Sequence, residues 1–436
     1  MASSTSKASH YRHRMLAPIL VLLDSVNAGF NGSIDPSLME ISSVMGSRKQ
    51  MSRLLSQIRI LLQLGRVRFL VYSPIAYAAG VTCATANTSD PCFSIWLFLV
   101  GQVFVSATHM LTHFFNEYYD LAADSLHEFP SPWTGGSRVL VAGKVRPLTS
   151  YRLGCTLTVL MLALLTIIPN METRLLGVVI VVFAVGYSTP PLQLGNRGLG
   201  EADVMLVLNI LVPLFGYSLF RNSHSSAILL LAMIPPAIVE FVRMMVMNMA
   251  DVVGDTRARK LTLVVRLGLE HSVRIHMFGM GLAYFTLVTL FLLNYIQWAV
   301  FLLELSTLPI GALICWRLFQ RQEYLSLIKF YNLPFVSTQH NGLILIAAVV
   351  GLVWGDEKRG VMSAMSQVRL LGVWFFLVQF GVKAWLGWRR GSLAAVFNPQ
   401  IAVGERVAKS AQIEEWERGI AQAARPFCHN DKQRQG

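Results

Sequence analysis

Long apolar segments are the feature that most restricts what this chain can fold into. They recur along most of the 436 residues, and each has the roughly 20 apolar residues that a helix needs to cross a hydrocarbon core of about 30 Å. Apolar residues make up 54% of the chain and charged residues only 14%, against roughly 25% charged in a typical soluble domain. A soluble globular protein is therefore excluded. A disordered chain is excluded too, because it would need low hydrophobicity and high charge.

The apolar segments predict an all-α, multi-span integral membrane bundle of about nine transmembrane helices around a central cavity. A tenth candidate span lies at 368–388. The nine predicted spans are residues 67–84, 94–115, 152–169, 174–189, 200–220, 226–247, 273–294, 297–316 and 335–355.

Basic residues predict the orientation of these spans. The loops after the even-numbered spans carry eleven Lys and Arg residues, whereas the alternate loops carry only Arg174 and Arg221. This asymmetry places the N-terminus and the loops after even-numbered spans in the cytosol. It also accounts for the net charge of +13, so no nucleic-acid partner is predicted. Residues 12–23 are basic like a transit peptide, but Asp24 and Asp35 follow soon after, and an endoplasmic-reticulum-type membrane is favoured over a mitochondrial one.

Three regions are predicted along the chain. Residues 1–60 form a polar, basic N-terminal extension, residues 61–355 a transmembrane domain, and residues 356–436 a C-terminal extension with the tenth candidate span and a polar tail. An amphipathic helix begins at about residue 48 and is predicted to lie in the membrane interface. Its apolar face consists of Leu54, Leu55, Ile58, Leu61 and Leu62.

Two groups of acidic and amide residues lie at the cytosolic ends of predicted spans 2 and 6. The first acidic cluster is Asn116, Asp120 and Asp124, and the second acidic cluster is Asn248, Asp251 and Asp255. Residues four apart share one helix face, and carboxylates at that spacing repel each other unless a cation lies between them. Hard oxygen ligands of this kind suit Mg²⁺, which bridges to phosphate oxygens. A solvated helix end explains either cluster alone, but both face the same compartment, where together they could hold a diphosphate through metal ions.

Basic residues close to the acidic clusters are candidates for diphosphate binding. Arg and Lys neutralise a departing diphosphate, and Arg can do so with two parallel hydrogen bonds. Each of these residues is also explained as an ordinary cytosolic positive charge, and Arg138 and Lys260 are the strongest candidates. The predicted diphosphate-binding residues are Asn116, Arg138, Lys144, Arg197, Asn248 and Lys260.

Other polar residues within the spans have different predicted roles. His109 and His113 are four apart on the helix that precedes the first acidic cluster, but no third zinc ligand is evident, so they are predicted to line the cavity. Glu240 and Arg243 lie three apart and are predicted to pair with each other.

Three segments together resemble the UbiA superfamily of intramembrane prenyltransferases, over about residues 60–355. Within it they are most similar to the menaquinone-type branch. Glu117 departs from the usual Asp, Met247 from a common Asn, and Ala250 from a frequent Arg. The segments that carry the resemblance are NEYYDLAADS with the later GGSRVLVAGKVRP, GYSTPPLQLGNRGLGE at 186–201, and NMADVVGDTRARKLTLVVRLG at 248–268.

The resemblance implies Mg²⁺ as cofactor and roles for both clusters. Arg138 and Lys260 match positions associated with diphosphate binding. The four aspartates Asp120, Asp124, Asp251 and Asp255 are the expected catalytic residues. The six residues that match Mg²⁺ and diphosphate positions are Asn116, Asp120, Asp124, Asn248, Asp251 and Asp255.

The implied activity is ionisation of an allylic prenyl diphosphate, followed by transfer of the prenyl group to a small aromatic or quinone-type acceptor. The alternative is a membrane-bound terpene cyclase that folds farnesyl or geranylgeranyl diphosphate onto itself. A third reading is a non-catalytic, lipid-binding scaffold, for which clustered carboxylates would have no use. The expected partners are the substrates and the lipid bilayer, with no obligatory protein partner, and a eukaryotic secondary-metabolism role is expected.

Overall fold

The structure is a computed structural model that describes residues 43–86, 93–127, 130–221, 226–326, 330–354 and 418. Within these ranges the chain forms helices and loops, with no β-strand. The α-helices in chain order are α1 (Ser43–Leu64), α2 (Tyr72–Ala86), α3 (Ile95–Tyr119), α4 (Leu121–Leu126), α5 (Pro147–Leu165), α6 (Met171–Gly186), α7 (Gly200–Leu206), α8 (Val212–Ser218), α9 (Ala227–Arg257), α10 (Leu263–Leu267), α11 (Leu269–Leu292), α12 (Trp298–Leu305), α13 (Leu308–Phe319) and α14 (Leu333–Trp354).

Eight helical segments of the described chain are long and apolar enough to cross a membrane, which confirms the predicted multi-span α-helical membrane protein. The fourth predicted span, 174–189, corresponds to α6, which has 16 residues. At 1.5 Å per residue α6 is about 24 Å long, shorter than a hydrocarbon core of about 30 Å. The eight segments are Val67–Thr85, Ile95–Tyr119, Pro147–Leu165, Gly200–Ser218, Ala227–Arg257, Leu269–Leu292, Trp298–Phe319 and Leu333–Trp354. The tenth candidate at 368–388 lies outside the described residues.

Local sequence explains where several of these helices begin and bend. The Ser94 side chain accepts a hydrogen bond from the Leu97 amide at the start of α3, and Asn170 does the same for α6. Between α7 and α8 the chain forms a π-helical turn over Val207–Leu211. Pro213 follows this turn and has no amide hydrogen, so it cannot bond to the carbonyl four residues earlier. Such turns widen a helix locally, often at functional sites.

Glycines allow α2 and α8 to pack with their backbones in close approach. A β-carbon on Gly80 would lie 1.9 Å from the carbonyl oxygen of Pro213, and one on Gly216 would lie 2.6 Å from the carbonyl oxygen of Tyr77. Small residues at such interfaces are typical of membrane helices, where helix association depends on tight packing.

A buried polar network connects α9 to α14. Arg243 Nε donates to Glu240 Oε2 over 3.1 Å, which confirms the predicted pair. Asn341 on α14 also donates to Glu240. Charged side chains inside a membrane bundle normally pair in this way, because an isolated charge there is costly.

The amphipathic segment predicted from about residue 48 lies within α1. Leu54, Leu55, Ile58 and Leu62 are exposed there, whereas Leu64 is fully buried in a small cluster with residues of the loop before α5. The exposed apolar side chains agree with a helix that rests on lipid. Its place in the interface remains a prediction, as do the boundaries of the two extensions.

We expect Gly80→Ala to destabilise the protein in detergent by about 1–3 kcal/mol, because backbone atoms of α8 would have to move away. Gly281→Ala is the matched control, since a β-carbon there meets nothing within 4 Å. Thermal unfolding of the purified variants, followed by loss of the monodisperse chromatographic peak, measures the difference. Equal melting temperatures for both variants would contradict this account of the α2–α8 contact.

Candidate active site

A cavity reaches from the two acidic clusters into the helix bundle. Its polar end is lined by all six cluster residues and by Lys260. Deeper in the bundle, aliphatic side chains from α3, α6, the π-helical turn and its flanking helices form one wall. These side chains are Val105, Ile180, Ala184, Val204, Val207, Leu208 and Val212.

The first acidic cluster lies where α3 passes into α4. The helix breaks at Asp120, whose φ and ψ are −89° and 3°. The amides of Asp120 and Asp124 nevertheless each bond to the carbonyl four residues earlier, at 2.8 Å, so the three side chains keep a common face. Asn116 Nδ2 donates to Asp120 Oδ2 over 2.5 Å, which holds the carboxylate toward the cavity.

The second acidic cluster lies on the last three turns of α9. Asn248 Nδ2 donates to Oε1 of Glu201 over 2.7 Å, and Glu201 is 1% exposed at the start of α7. Asp255 is 3% exposed, and its Oδ2 atom has no hydrogen-bond partner within the described residues. A buried carboxylate oxygen without a partner can bind a cation or accept a hydrogen bond from a ligand.

Lys260 joins the two acidic clusters. Its Nζ atom lies 2.8 Å from Asp120 Oδ2 and 3.5 Å from Asp255 Oδ1. The chain turns back after α9 through Arg259, which has a left-handed φ of 58°, and this turn brings Lys260 over the end of the helix. Burial alone would lower the pKa of Lys260, but Asp120 and Asp255 raise it well above its ordinary value. Lys260 is therefore a permanent cation at the polar end of the cavity.

Arg66 provides a second cation. Its Nε atom lies 2.6 Å from Glu117 Oε1, and its Nη2 atom lies 3.8 Å from Asp124 Oδ2. Burial raises the pKa of Asp124 to about 7; the charge of Arg66 opposes this shift, whereas Asp120 adds to it. Asp124 therefore lies in an environment that favours binding of a further positive charge.

Glu117 connects α3 to the loop before α5. This loop contains Gly135 and Gly136 and is called the glycine-rich loop. Glu117 is 2% exposed, and it accepts hydrogen bonds from the amide of Ser137 at 2.7 Å and from the Ser137 hydroxyl at 2.6 Å. Together with Arg66, these contacts satisfy both oxygens of Glu117. Its side chain thus positions a loop rather than adding a further carboxylate to the cavity wall.

His127 pairs with the second acidic cluster across the cavity. Its Nε2 atom lies 2.8 Å from Asp251 Oδ1. Burial alone would lower the pKa of His127, but the hydrogen bond and charge of Asp251 raise it above its ordinary value. Each of the four cluster aspartates therefore lies close to a basic side chain: Lys260, Arg66 or His127.

Three predicted diphosphate-binding residues lie outside the cavity wall. Arg138 is partly buried and donates to the backbone carbonyl of Asp124. It therefore contacts the backbone of the first acidic cluster rather than the cavity. Arg197 donates to the carbonyl of Pro191 over 2.7 Å and is exposed, as is Lys144. Their roles in diphosphate binding remain predictions.

Arg66, Glu117 and His127 were not predicted as site residues. Glu117 and His127 have local signals in the sequence, since both lie within three residues of cluster aspartates, at a predicted helix end. Arg66 has none, because its contacts are 51 residues or more away along the chain. His109 and His113 line the cavity as expected.

The oxygen atoms of the two acidic clusters are the type of ligand that Mg²⁺ prefers. Six side chains with carboxylate or amide oxygens line one end of the cavity, and Asp255 keeps an unpartnered buried oxygen within the described chain. No three acidic, His or Cys side chains of the described residues form a ready metal cage. Mg²⁺ usually takes only one or two carboxylates and completes its shell with water and substrate phosphates.

Comparison with known proteins places this cavity in a family. The model of the UbiA prenyltransferase family matches residues 73–343, which is more than half of the chain. No curated protein sequence matches the chain.

Solved structures of UbiA homologues share the fold. One from Archaeoglobus fulgidus, bound to DMAPP and Mg²⁺, has a TM-score of 0.50 and 17% identity, and the match covers 65% of this chain and 98% of that one. Another from Archaeoglobus fulgidus has a TM-score of 0.50 and 16% identity, covering 68% and 99%. A structure of digeranylgeranylglyceryl phosphate synthase has a TM-score of 0.49 and 18% identity, covering 68% and 98%.

The family match extends over both acidic clusters and over the helices that bring them together around the cavity. The chain therefore belongs to the UbiA prenyltransferase family and is a multi-pass integral membrane protein.

Proposed function

We propose that the protein is a Mg²⁺-dependent intramembrane prenyltransferase that ionises an allylic prenyl diphosphate and transfers the prenyl group to an aromatic or quinone-type acceptor. One observation carries the proposal: Lys260 lies between Asp120 and Asp255 at the polar end of a cavity whose deeper wall is aliphatic. This arrangement matches the shape of the substrate, with a highly charged diphosphate at one end and a hydrocarbon tail at the other. The homologue bound to DMAPP and Mg²⁺ supports the same substrate class.

The polar end of the cavity is suited to hold the diphosphate. The two acidic clusters would hold Mg²⁺ through Asp120, Asp124, Asp251 and Asp255, with Asn116 and Asn248 beside them. When bound, Mg²⁺ neutralises diphosphate charge and makes the group a better leaving group. Lys260 already lies beside Asp120 and Asp255, so its charge is preorganised for the leaving group and needs no rearrangement of solvent.

The deeper cavity is suited to protect the cation that forms. The bond between the first prenyl carbon and the diphosphate oxygen breaks, and its electron pair leaves with the diphosphate. Aliphatic side chains such as Ile180, Val204 and Leu208 exclude water from the allylic cation. A π-electron pair of the acceptor ring then forms the new carbon–carbon bond, and the ring loses a proton to the released diphosphate. No side chain has to act as a nucleophile.

The finer assignments belong to the same proposal. The motif resemblance supports the menaquinone-type branch and hence a quinone-type acceptor. The distribution of Lys and Arg supports a cytosolic N-terminus and cytosolic active-site loops, in an endoplasmic-reticulum-type membrane. We retain residues 61–355 as the catalytic domain, between an N-terminal extension and a C-terminal one. Terpene cyclisation is the competing activity, since it begins with the same ionisation.

We expect membranes that contain the protein to convert a prenyl diphosphate and an acceptor into a product heavier than the acceptor by one prenyl unit. The assay supplies Mg²⁺ with geranyl, farnesyl or geranylgeranyl diphosphate, with or without a panel of phenolic and naphthoic acceptors, and mass spectrometry identifies products. A hydrocarbon that forms without acceptor would establish the cyclase instead. Chelation of divalent cations with EDTA should abolish the product, and added Mg²⁺ should restore it.

Asp120→Asn and Asp251→Asn should each lower the rate of product formation at least about 100-fold, because each removes a carboxylate that would hold the Mg²⁺ that neutralises the leaving group. Glu270→Gln is the matched control. Glu270 is an exposed acid at the start of α11 that pairs with Arg274, and its loss should leave the rate within about twofold. Full activity of both aspartate variants at normal abundance would refute the proposed role of the clusters.

Gly136 brings the glycine-rich loop against the first acidic cluster. It has a left-handed φ of 75°, and a β-carbon there would lie 2.1 Å from Oδ2 of Asp124. The loop can therefore lie beside Asp124 only because this residue lacks a side chain.

We expect Gly136→Ala to displace Asp124 and to lower the rate of product formation at least about tenfold. Gly143→Ala is the matched control: Gly143 also has a positive φ, of 65°, but a β-carbon there meets nothing within 4 Å. Both variants carry similar backbone strain, so only the contact with Asp124 separates them. A similar loss of rate in both would show that strain, rather than this contact, is responsible.

A further inference from the structure

The C-terminal end of α1 packs against the glycine-rich loop. Leu64 is fully buried and belongs to a small apolar cluster with Val139 and Leu140 of that loop. The neighbouring Gln63 donates a hydrogen bond from Nε2 to the carbonyl oxygen of Ser137 over 3.0 Å. The end of α1 therefore holds the loop through both apolar and polar contacts.

Two arginines that follow α1 contact the same loop. Arg68 donates to the carbonyl oxygen of Pro132. Arg66 pairs with Glu117, to which the loop is itself hydrogen bonded. The loop in turn lies against Asp124 of the first acidic cluster. A displacement of α1 would therefore reach the first acidic cluster through the loop.

A different face of α1 is apolar and exposed. The four side chains on it are between 41% and 58% exposed, and they are Leu54, Leu55, Ile58 and Leu62. A helix turns about 100° per residue, so these four lie within an arc of about 100°, which we name the exposed apolar face. Its centre is about 130° around the helix from Leu64. The contact with the loop and the exposed apolar face are thus separate.

The surface of the bilayer is the partner that fits this face. α1 ends at Leu64 and the first membrane-spanning segment begins at Val67, so only two residues separate the helix from the membrane. α1 has four basic residues and no acidic one. Of these, Arg53 and Arg59 are exposed, and Arg59 lies about 40° beyond the edge of the exposed apolar face. Apolar side chains bordered by basic ones bind the surface of membranes that contain anionic lipid.

We propose that α1 binds anionic phospholipid at the membrane surface and that this contact holds the glycine-rich loop against the first acidic cluster. The exposed apolar face enters the boundary between headgroups and acyl chains, while Arg53 and Arg59 contact lipid phosphates. The proposal goes beyond prenyl transfer, because it adds a lipid-binding surface that supports the active site from outside the cavity.

The test uses the full chain, reconstituted in vesicles of phosphatidylcholine alone or of phosphatidylcholine and phosphatidylserine in equal amounts. Hydrogen–deuterium exchange, followed by mass spectrometry, is measured for the amides of α1 and of the glycine-rich loop. The loop amides of Ser137 and Ala142 are hydrogen bonded, so their exchange requires the loop to open. This readout does not depend on any enzymatic activity.

Three variants separate the steps of the proposal. The double variant Leu55→Ser with Ile58→Ser removes much of the exposed apolar face, and Ser56→Ala, on the opposite side of α1, is its control. Arg59→Gln removes one exposed charge. Its control is Arg274→Gln, because Arg274 is exposed but pairs with Glu270.

The third variant, Gln63→Leu, keeps the lipid-binding face and removes the hydrogen bond to the loop.

We expect anionic vesicles to slow exchange in both α1 and the loop at least about threefold in the unsubstituted protein. The double variant should exchange at the faster rate in both vesicles, and Arg59→Gln should lose at least about half of the response. Gln63→Leu should keep the slower exchange of α1 but lose it in the loop. Both controls should respond like the unsubstituted protein.

Equal exchange of α1 in the two vesicles would overturn the lipid-binding surface. A full response in the double variant would also overturn it, since another segment of the chain or a second copy would then cover this face. Slower exchange in α1 with no change in the loop would overturn the connection to the active site.

The rate of product formation is a second readout in the same vesicles. We expect it to be at least about threefold higher with phosphatidylserine, and the double variant to lose this difference. If no product forms in either vesicle, the proposed prenyl transfer fails, whereas the exchange measurements still decide whether α1 binds anionic lipid.

Discussion

The salt bridges of Lys260 are the interactions on which the active site depends. Two carboxylates from different helix ends, Asp120 and Asp255, lie close together only because a lysine ammonium lies between them. Without that charge the two helix ends would repel each other, at a depth where water screens them poorly. The contact therefore defines both the position of α3 against α9 and the electrostatic character of the cavity.

Two further basic side chains extend the same arrangement around the cavity. Arg66 and His127 lie beside Asp124 and Asp251, and Glu117 attaches the glycine-rich loop to the end of α3. Carboxylates that are compensated in this way can stay buried, because removing a charge from water is costly without a partner. The same pairs keep their oxygens at the polar end of the cavity, where a metal ion and a diphosphate would compete for them.

Much of this was predictable from local sequence patterns. The apolar segments predicted the membrane helices, and the spacing within NEYYDLAAD and NMADVVGD predicted which residues share a face, because helix geometry alone relates positions three or four apart. The fourth predicted span, 174–189, has the 16 residues of α6 but is shifted by three residues toward the C-terminus, because the helix begins at Met171 after the Asn170 cap and ends before a turn that contains two prolines. The role of Arg66 was not predictable, because its partner Glu117 lies 51 residues away along the chain.

The sequence by itself determined that the chain is a membrane protein with two clusters of metal-type ligands at helix ends. Composition and periodicity are properties of the sequence, and they do not depend on how the helices are arranged. Only the tertiary structure decided that one lysine bridges the clusters and that both clusters line one cavity together with aliphatic side chains from other helices. Those features arise where side chains from separate helices meet, and such contacts depend on how the helices pack rather than on spacing along the chain.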